Sequence, residues 1–95
     1  EAIRALRSAG FRPKRSLELL IFTSEEPTRF GIGCLGSRVL SGALSPEAAR
    51  PLRDPEGLSL EEARRQAGFG GELGQVPLPE GYYSAFVELH IEQGP

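Results

Sequence analysis

Leu17-Glu18-Leu19-Leu20-Ile21-Phe22 runs directly into Thr23-Ser24-Glu25-Glu26-Pro27-Thr28-Arg29-Phe30. The first segment is of strand length and almost lacks a polar face, which predicts a strand covered on both sides in a largely parallel sheet. Two adjacent carboxylates follow at its carboxyl end. An ionised Glu is costly to bury unpaired, so a Glu doublet at a core edge meets a metal, serves as a base, or faces water. Pro27 steers Glu26 towards the extended region and so fixes how the second carboxylate is presented. The same letters also read as a helix start, with Ser24 as N-cap, Glu25 and Glu26 in the first turn and Pro27 tolerated there. Residue types alone leave both readings open, and the two are compatible.

Upstream, residues 1–9 (EAIRALRSA) place Ile3, Leu6 and Ala9 at helical spacing, with Gly10 as the stop. This segment has no N-cap of its own and reads as the last turns of a longer helix. A basic connector, Phe11 to Arg15, leads to the apolar run. Helix, short loop, buried strand is half of an α/β layer arrangement.

Downstream, Gly31-x-Gly33-x-x-Gly36 matches the dinucleotide-binding fingerprint letter for letter. That fingerprint requires its first glycine to leave the strand directly, whereas here the doublet segment intervenes. The acids at about the right distance, Asp54 and Glu56, sit among Pro51 and Pro55 rather than at the end of a second strand. The glycines are better read as points where backbone passes close to neighbouring elements.

From Gly33 to Leu44, Leu35, Val39, Leu40 and Leu44 can share one helical face, with Gly42 weakening the end. Ser45-Pro46-Glu47 is a further helix start. Ser59-Leu60-Glu61-Glu62 is a capping box that opens a short helix to about Ala67. Residues 68–81 are rich in Gly and Pro and read as a long surface loop bordering a site or free to vary. Residues 82–91 (YYSAFVELHI) then alternate as a second strand, with His90 at its carboxyl end, where ligands bind in open α/β sheets. A lone His is more often structural than a ligand; Glu92 and Gln93 follow it directly.

The 95 residues allow one domain with a core of modest size, and 39% hydrophobic with 25% charged residues is a globular composition. A net charge of −2, with arginines scattered among acids, leaves no electrostatic footprint for nucleic acid and no obvious attraction to an anionic membrane. The single cysteine, Cys34, excludes an intramolecular disulfide framework and a multi-cysteine zinc site, and reads as a small buried hydrophobe rather than a nucleophile. No apolar stretch approaches the ~20 residues of a membrane span.

Three blocks carry a resemblance: Arg12 to Phe22, Ser24 to Gly42 (SEEPTRFGIGCLGSRVLSG) and Ala85 to Pro95 (AFVELHIEQGP). Together they resemble the M20-type, dinuclear-metal amidohydrolases that act on ureido compounds, with the region from Ala43 to Gly81 the loosest. The resemblance implies a partial metallopeptidase-like α/β catalytic domain, helices packed on a mostly parallel sheet and incomplete in residues 1–95. It implies metal-dependent hydrolysis of a linear amide C–N bond, with ureidoglycolate as substrate and allantoate or an N-carbamoyl amino acid as alternatives. Glu25 is then the general base that takes a proton from the attacking water, Glu26 a ligand to one metal, His90 a ligand to the other, and Gln93 a contact to the ureido substrate.

The implied cofactors are two divalent cations, Mn²⁺ favoured by the carboxylate and imidazole mixture, with Zn²⁺ as the alternative. The family's upstream His and bridging Asp, its last His, and its lid and dimerisation domain have no matching positions in this chain. The chain by itself is therefore expected to bind no metal, and its partners are the rest of such an enzyme, a homodimer in the family, or another assembly partner. The competing reading is a structural or interaction subunit in which the catalytic letters are idle. The resemblance further implies the endoplasmic reticulum of plants or algae as compartment.

Overall fold

The structure is a computed structural model describing residues 1–91. Helix α1, Ala2–Ser8, ends as its sequence predicts. Gly10 takes φ +73°, its N–H reaches the Arg7 carbonyl at 3.0 Å, and the Phe11 N–H reaches that of Leu6 at 2.9 Å, a Schellman stop built on the residue type that enters the left-handed region freely. None of its residues is buried.

The core lies further along. Helix α2, Leu35–Leu40, is shorter than the span from Gly33 to Leu44 that the apolar spacing predicts, because Gly42 at φ +76° closes it from the far end. Helix α3, Pro46–Ala49, starts as expected, with Ser45 Oγ accepting the Ala48 N–H at 3.2 Å. Helix α4, Leu60–Gln66, carries the complete capping box. Ser59 Oγ accepts the Glu62 N–H at 3.2 Å, and a Glu62 carboxylate oxygen accepts the Ser59 N–H at 2.9 Å. The Ser59 hydroxyl also donates to that carboxylate at 2.6 Å, and this bond together with the Ser59 amide holds the Glu62 carboxyl below its ordinary range.

Leu35 and Val39 of α2, Ala49 of α3, Leu60 of α4 and Leu73 form the buried cluster, with Phe30, Ile32, Leu44, Leu52 and Val76 packed around it. Leu73 corrects the reading of residues 68–81 as a surface loop. It opens a 3₁₀ turn, Leu73–Gln75, and is 3% exposed, while the Leu78 N–H bonds the Leu40 carbonyl at 2.9 Å. The glycines around it disguised one well-packed leucine.

The expected α/β sheet is not confirmed. Neither 17–22 nor 82–91 is a strand among the described residues, where the one β-contact is an isolated antiparallel bridge between Arg53 and Ser59. The two segments do run side by side in the same direction. The Tyr83 hydroxyl donates to the Glu18 carboxylate, and the Phe22 and Phe86 rings are 6.4 Å apart. Contact is through side chains, whereas a ladder needs backbones about 4.8 Å apart with N–H facing C=O. Ile21, Val87, Leu89 and Ile91, at 89%, 92%, 98% and 82% exposed, carry the apolar pattern of covered strands without the cover. The Glu18 contact pushes the Tyr83 hydroxyl up to about 12, since the phenol's proton is what the carboxylate binds.

Candidate functional site

The doublet sits on a loop held from both sides. On the near side the backbone turns at Ser24, a non-glycine residue at φ +53°, and three successive carbonyls face the start of α2. The Thr23, Ser24 and Glu25 carbonyls accept the N–H groups of Gly36, Leu35 and Cys34 at 3.1, 3.0 and 2.7 Å. These amides are among those a helix start leaves without intrahelical partners, so loop and helix satisfy one another. Cys34 adopts φ +54° to make the approach and is exposed there, which corrects its reading as a buried hydrophobe. Two left-handed non-glycine residues flanking one loop are a local cost that the surrounding bonds must offset.

Two of the fingerprint glycines serve this approach. A Cβ at Gly36 would lie 3.0 Å from both the backbone N and O of Thr23, and one at Gly33 would lie 3.3 Å from the Glu25 carbonyl oxygen. The expectation that the glycines admit a close backbone neighbour is met at Gly33 and Gly36, where that neighbour is the doublet loop, and not at Gly31, which has open space around the would-be Cβ.

The helix-start reading of Ser24 to Pro27 is not. No helix begins there, and the Thr28 N–H instead bonds the Glu26 carbonyl at 2.8 Å. That is a three-residue γ-turn centred on Pro27, for which the proline ring supplies the required φ. Glu25 and Glu26 are thereby both exposed.

On the far side Arg29 leaves the loop and its Nε–H donates to Asp54 Oδ2 at 2.8 Å. The Asp54 side chain is fully buried, and its other oxygen accepts the Leu58 N–H at 2.7 Å. Burial alone would push this carboxyl up; the Arg29 hydrogen bond and charge and the amides of Leu58 and Glu56 outweigh it and hold the group below the ordinary carboxylate range. Arg29 also lies 5.7 Å from the Phe30 ring centre, and Phe30 packs on the core.

Sequence reasoning passed over this pair and weighed Asp54 only as a misplaced nucleotide acid. A signal was present. Asp54-Pro55-Glu56-Gly57 has Asp, Pro and Gly at the first, second and fourth positions of a type I turn, and the Gly57 N–H bonds the Asp54 carbonyl at 2.9 Å.

His90 is exposed, and Gln93 lies outside the described residues. The Phe22–Phe86 contact is the reference point for the rest, since Glu25 and His90 follow it closely on neighbouring segments that run the same way. Among the described residues the ion pairs are Arg29–Asp54 and Arg64–Glu61, so neither carboxylate of the doublet is neutralised by a side chain. No group of three or more His, Cys, Asp or Glu is placed to hold a metal ion among them. A carboxylate and an imidazole suit a divalent cation as donors, yet they make up only part of a ligand set. Neither an open groove of about 420 Å³ between residues 15–18 and 81–85 nor an apolar one of about 350 Å³ beside Ile21, Leu35 and Leu60 is lined by the doublet or by His90. No described helix is long and apolar enough to cross a membrane.

Comparison with known proteins supplies the context. No family model matches the chain. It is 54% identical, over its whole length, to ureidoglycolate hydrolase from Arabidopsis thaliana, and 43% identical over 99% of its length to N-carbamoyl-L-amino acid amidohydrolase from Geobacillus stearothermophilus. It spans only 21% and 23% of those two proteins. Among solved structures it superposes in full on the crystal structure of AtUAH in complex with (S)-hydroxyglycine, with a TM-score of 0.87 and 52% identity, covering 24% of that chain. The corresponding complex with glyoxylate gives 0.86 and 53%. By sequence and by backbone trace, the chain is homologous throughout to one segment of the ureidoglycolate hydrolase, allantoate amidohydrolase and N-carbamoyl-L-amino acid amidohydrolase group.

Proposed function

We propose that these residues form the Glu-doublet limb of a metal-dependent amidohydrolase that cleaves a linear amide C–N bond of a small ureido compound, ureidoglycolate first among the candidates. The observation that carries this reading is the exposed Glu25–Glu26 pair on a doubly anchored loop, in a chain 54% identical to a ureidoglycolate hydrolase. The lower identity to an N-carbamoyl amino acid amidohydrolase, 43%, favours ureidoglycolate over that alternative.

Glu25 is the general base, an exposed carboxylate without an ion-pair partner that accepts the proton of the attacking water and returns it to the leaving nitrogen. Glu26 and His90 each contribute one ligand, carboxylate oxygen and imidazole nitrogen, to a divalent centre for which Mn²⁺ is favoured and Zn²⁺ is the alternative. A bound cation supplies Lewis-acid polarisation of the scissile carbonyl and makes water more acidic. Gln93 contacts the ureido group, and substrate carbonyl and amide edges suit a side-chain carboxamide that both donates and accepts.

The test is release of ammonia and glyoxylate from ureidoglycolate by the longest natural polypeptide carrying these residues, against its Glu25→Gln variant. The variant is expected to lose on the order of 10²–10⁴-fold in kcat, the usual contribution of a positioned base, with KM changed little. Equal turnover by both proteins would sink the assignment, and preferential turnover of allantoate or an N-carbamoyl amino acid would reassign the substrate.

A further inference from the structure

The near side of the doublet loop is held by backbone, and the far side by one ion pair. We propose that Asp54 is a positioning residue, acting through Arg29 to fix the orientation of Glu26. This rests on the reading of the doublet as the reacting carboxylates.

The turn that carries Asp54 closes without Arg29. The Asp54 N–H bonds the Leu58 carbonyl at 3.0 Å, the Gly57 N–H bonds the Asp54 carbonyl at 2.9 Å, and the Leu60 N–H bonds the Leu52 carbonyl at 3.1 Å. The Arg53 guanidinium adds a bond to the Gly57 carbonyl at 2.8 Å. Leu60 is part of the buried cluster with Leu35 and Val39, so the turn is tied to the same core on which α2 rests.

Asp54 is thus a fixed acceptor, fully buried, and Arg29, with its side chain 50% exposed, is the group that docks on it. A buried carboxylate with one oxygen already committed to an amide wants a cation at the other. Between this anchor and the amides of α2, only Glu26, Pro27 and Thr28 are spanned, and the γ-turn at Pro27 removes most of their freedom. Glu25 keeps its own carbonyl anchor if Arg29 lets go, whereas Glu26 lies wholly between the two anchors. The consequence of undocking falls on Glu26.

The experiment titrates Mn²⁺ alone into the metal-free form of the longest natural polypeptide carrying these residues, and records kcat, KM and metal-free melting temperature beside it. Asp54→Asn and Arg29→Gln are each expected to weaken Mn²⁺ binding by ~10–100-fold, the usual cost of losing a group that orients a ligand. KM should stay within about twofold, and the double variant should lose no more than either single one, as residues acting in series do. Arg29→Lys, which retains the cation, should recover part of the affinity.

A role confined to stability predicts the opposite pattern, a lower melting temperature with Mn²⁺ affinity and kcat per folded molecule unchanged, and that result overturns the proposal. Should Asp54→Asn fail to fold, the half-exposed Arg29 carries the test through Arg29→Gln and Arg29→Lys. Glu26→Gln is measured in parallel. If it leaves Mn²⁺ affinity intact, the reading of the doublet fails; if it weakens binding while the Asp54 and Arg29 variants do not, the positioning role alone fails.

Discussion

At the scale of single residues, the placement of the doublet depends on neighbours that have no chemistry. Gly36 is the sharpest instance. An added methyl would meet two backbone atoms of Thr23 at 3.0 Å, and backbone held by the Thr23–Gly36 hydrogen bond cannot step aside as a flexible side chain would. Gly36→Ala is therefore expected to destabilise the fold by about 1–3 kcal/mol, the range for forcing extra volume into a packed site. Gly74 is the control, since it has open space around the would-be Cβ and no positive φ. Gly74→Ala should stay within about 0.5 kcal/mol, as unencumbered surface changes do. Denaturant titration of the two variants in the longest natural polypeptide carrying these residues decides the matter, and equal midpoints would show that the close approach carries no strain. The types and order of Glu25, Glu26 and Pro27 made them a candidate site from the letters, and the structure adds the exposed, anchored loop that carries them. The Arg29–Asp54 bond was not, because its partners lie 25 positions apart and nothing local announces which arginine finds which acid.

At the scale of elements, what the sequence disclosed follows the range of the interactions involved. Helix starts at Ser45 and Ser59 and the helix end at Gly10 were legible because caps are settled within a few residues, whereas Gly42 was read as a weak point and is a stop. Whether the two apolar segments pair as strands was not legible, because a ladder is a non-local bond, and neither segment meets a backbone partner in the other among the described residues. The capping box makes a further check. Ser59→Ala removes the hydroxyl that bonds both the Glu62 amide and its carboxylate, at 3.2 and 2.6 Å, and should cost about 1 kcal/mol as lost N-caps do. The pH dependence has a definite sign. The folded Glu62 carboxyl is lowered, so its contribution is present above the ordinary glutamate range and is lost as pH falls through the lowered value. In the longest natural polypeptide carrying these residues, melting temperature plotted against pH should accordingly fall less steeply on the acid side for Ser59→Ala than for the parent. A parallel pair of curves would separate the cap from the Glu62 shift.

At the scale of the whole molecule, the surface is too large for a closed domain. The accessible area is 8015 Å², where a folded monomer of 10.3 kDa has roughly 5,400 Å². The radius of gyration of 16.2 Å likewise exceeds the roughly 12 Å of a compact chain of this length. The excess is localised. Leu19, Ile21, Val87, Leu89 and Ile91 stand between 74% and 98% exposed, while α2, α3 and α4 converge on their buried cluster. Amide hydrogen exchange on the 95-residue chain reads this division directly. No backbone N–H within 12–22 or 83–91 donates to a backbone carbonyl among the described residues, so these amides should exchange close to the unprotected rate. The amides of α2 and α4, bonded within their helices and backed by Leu35, Val39 and Leu60, should exchange more slowly. Because the uncovered segments contribute little to one cooperative core, melting of the same chain should be broad rather than two-state. Protection of Leu19 to Phe22 matching that of α4, together with a sharp single transition, would mean that the two apolar segments find partners in one another or in a second copy, and the account of two uncovered segments would have to be given up.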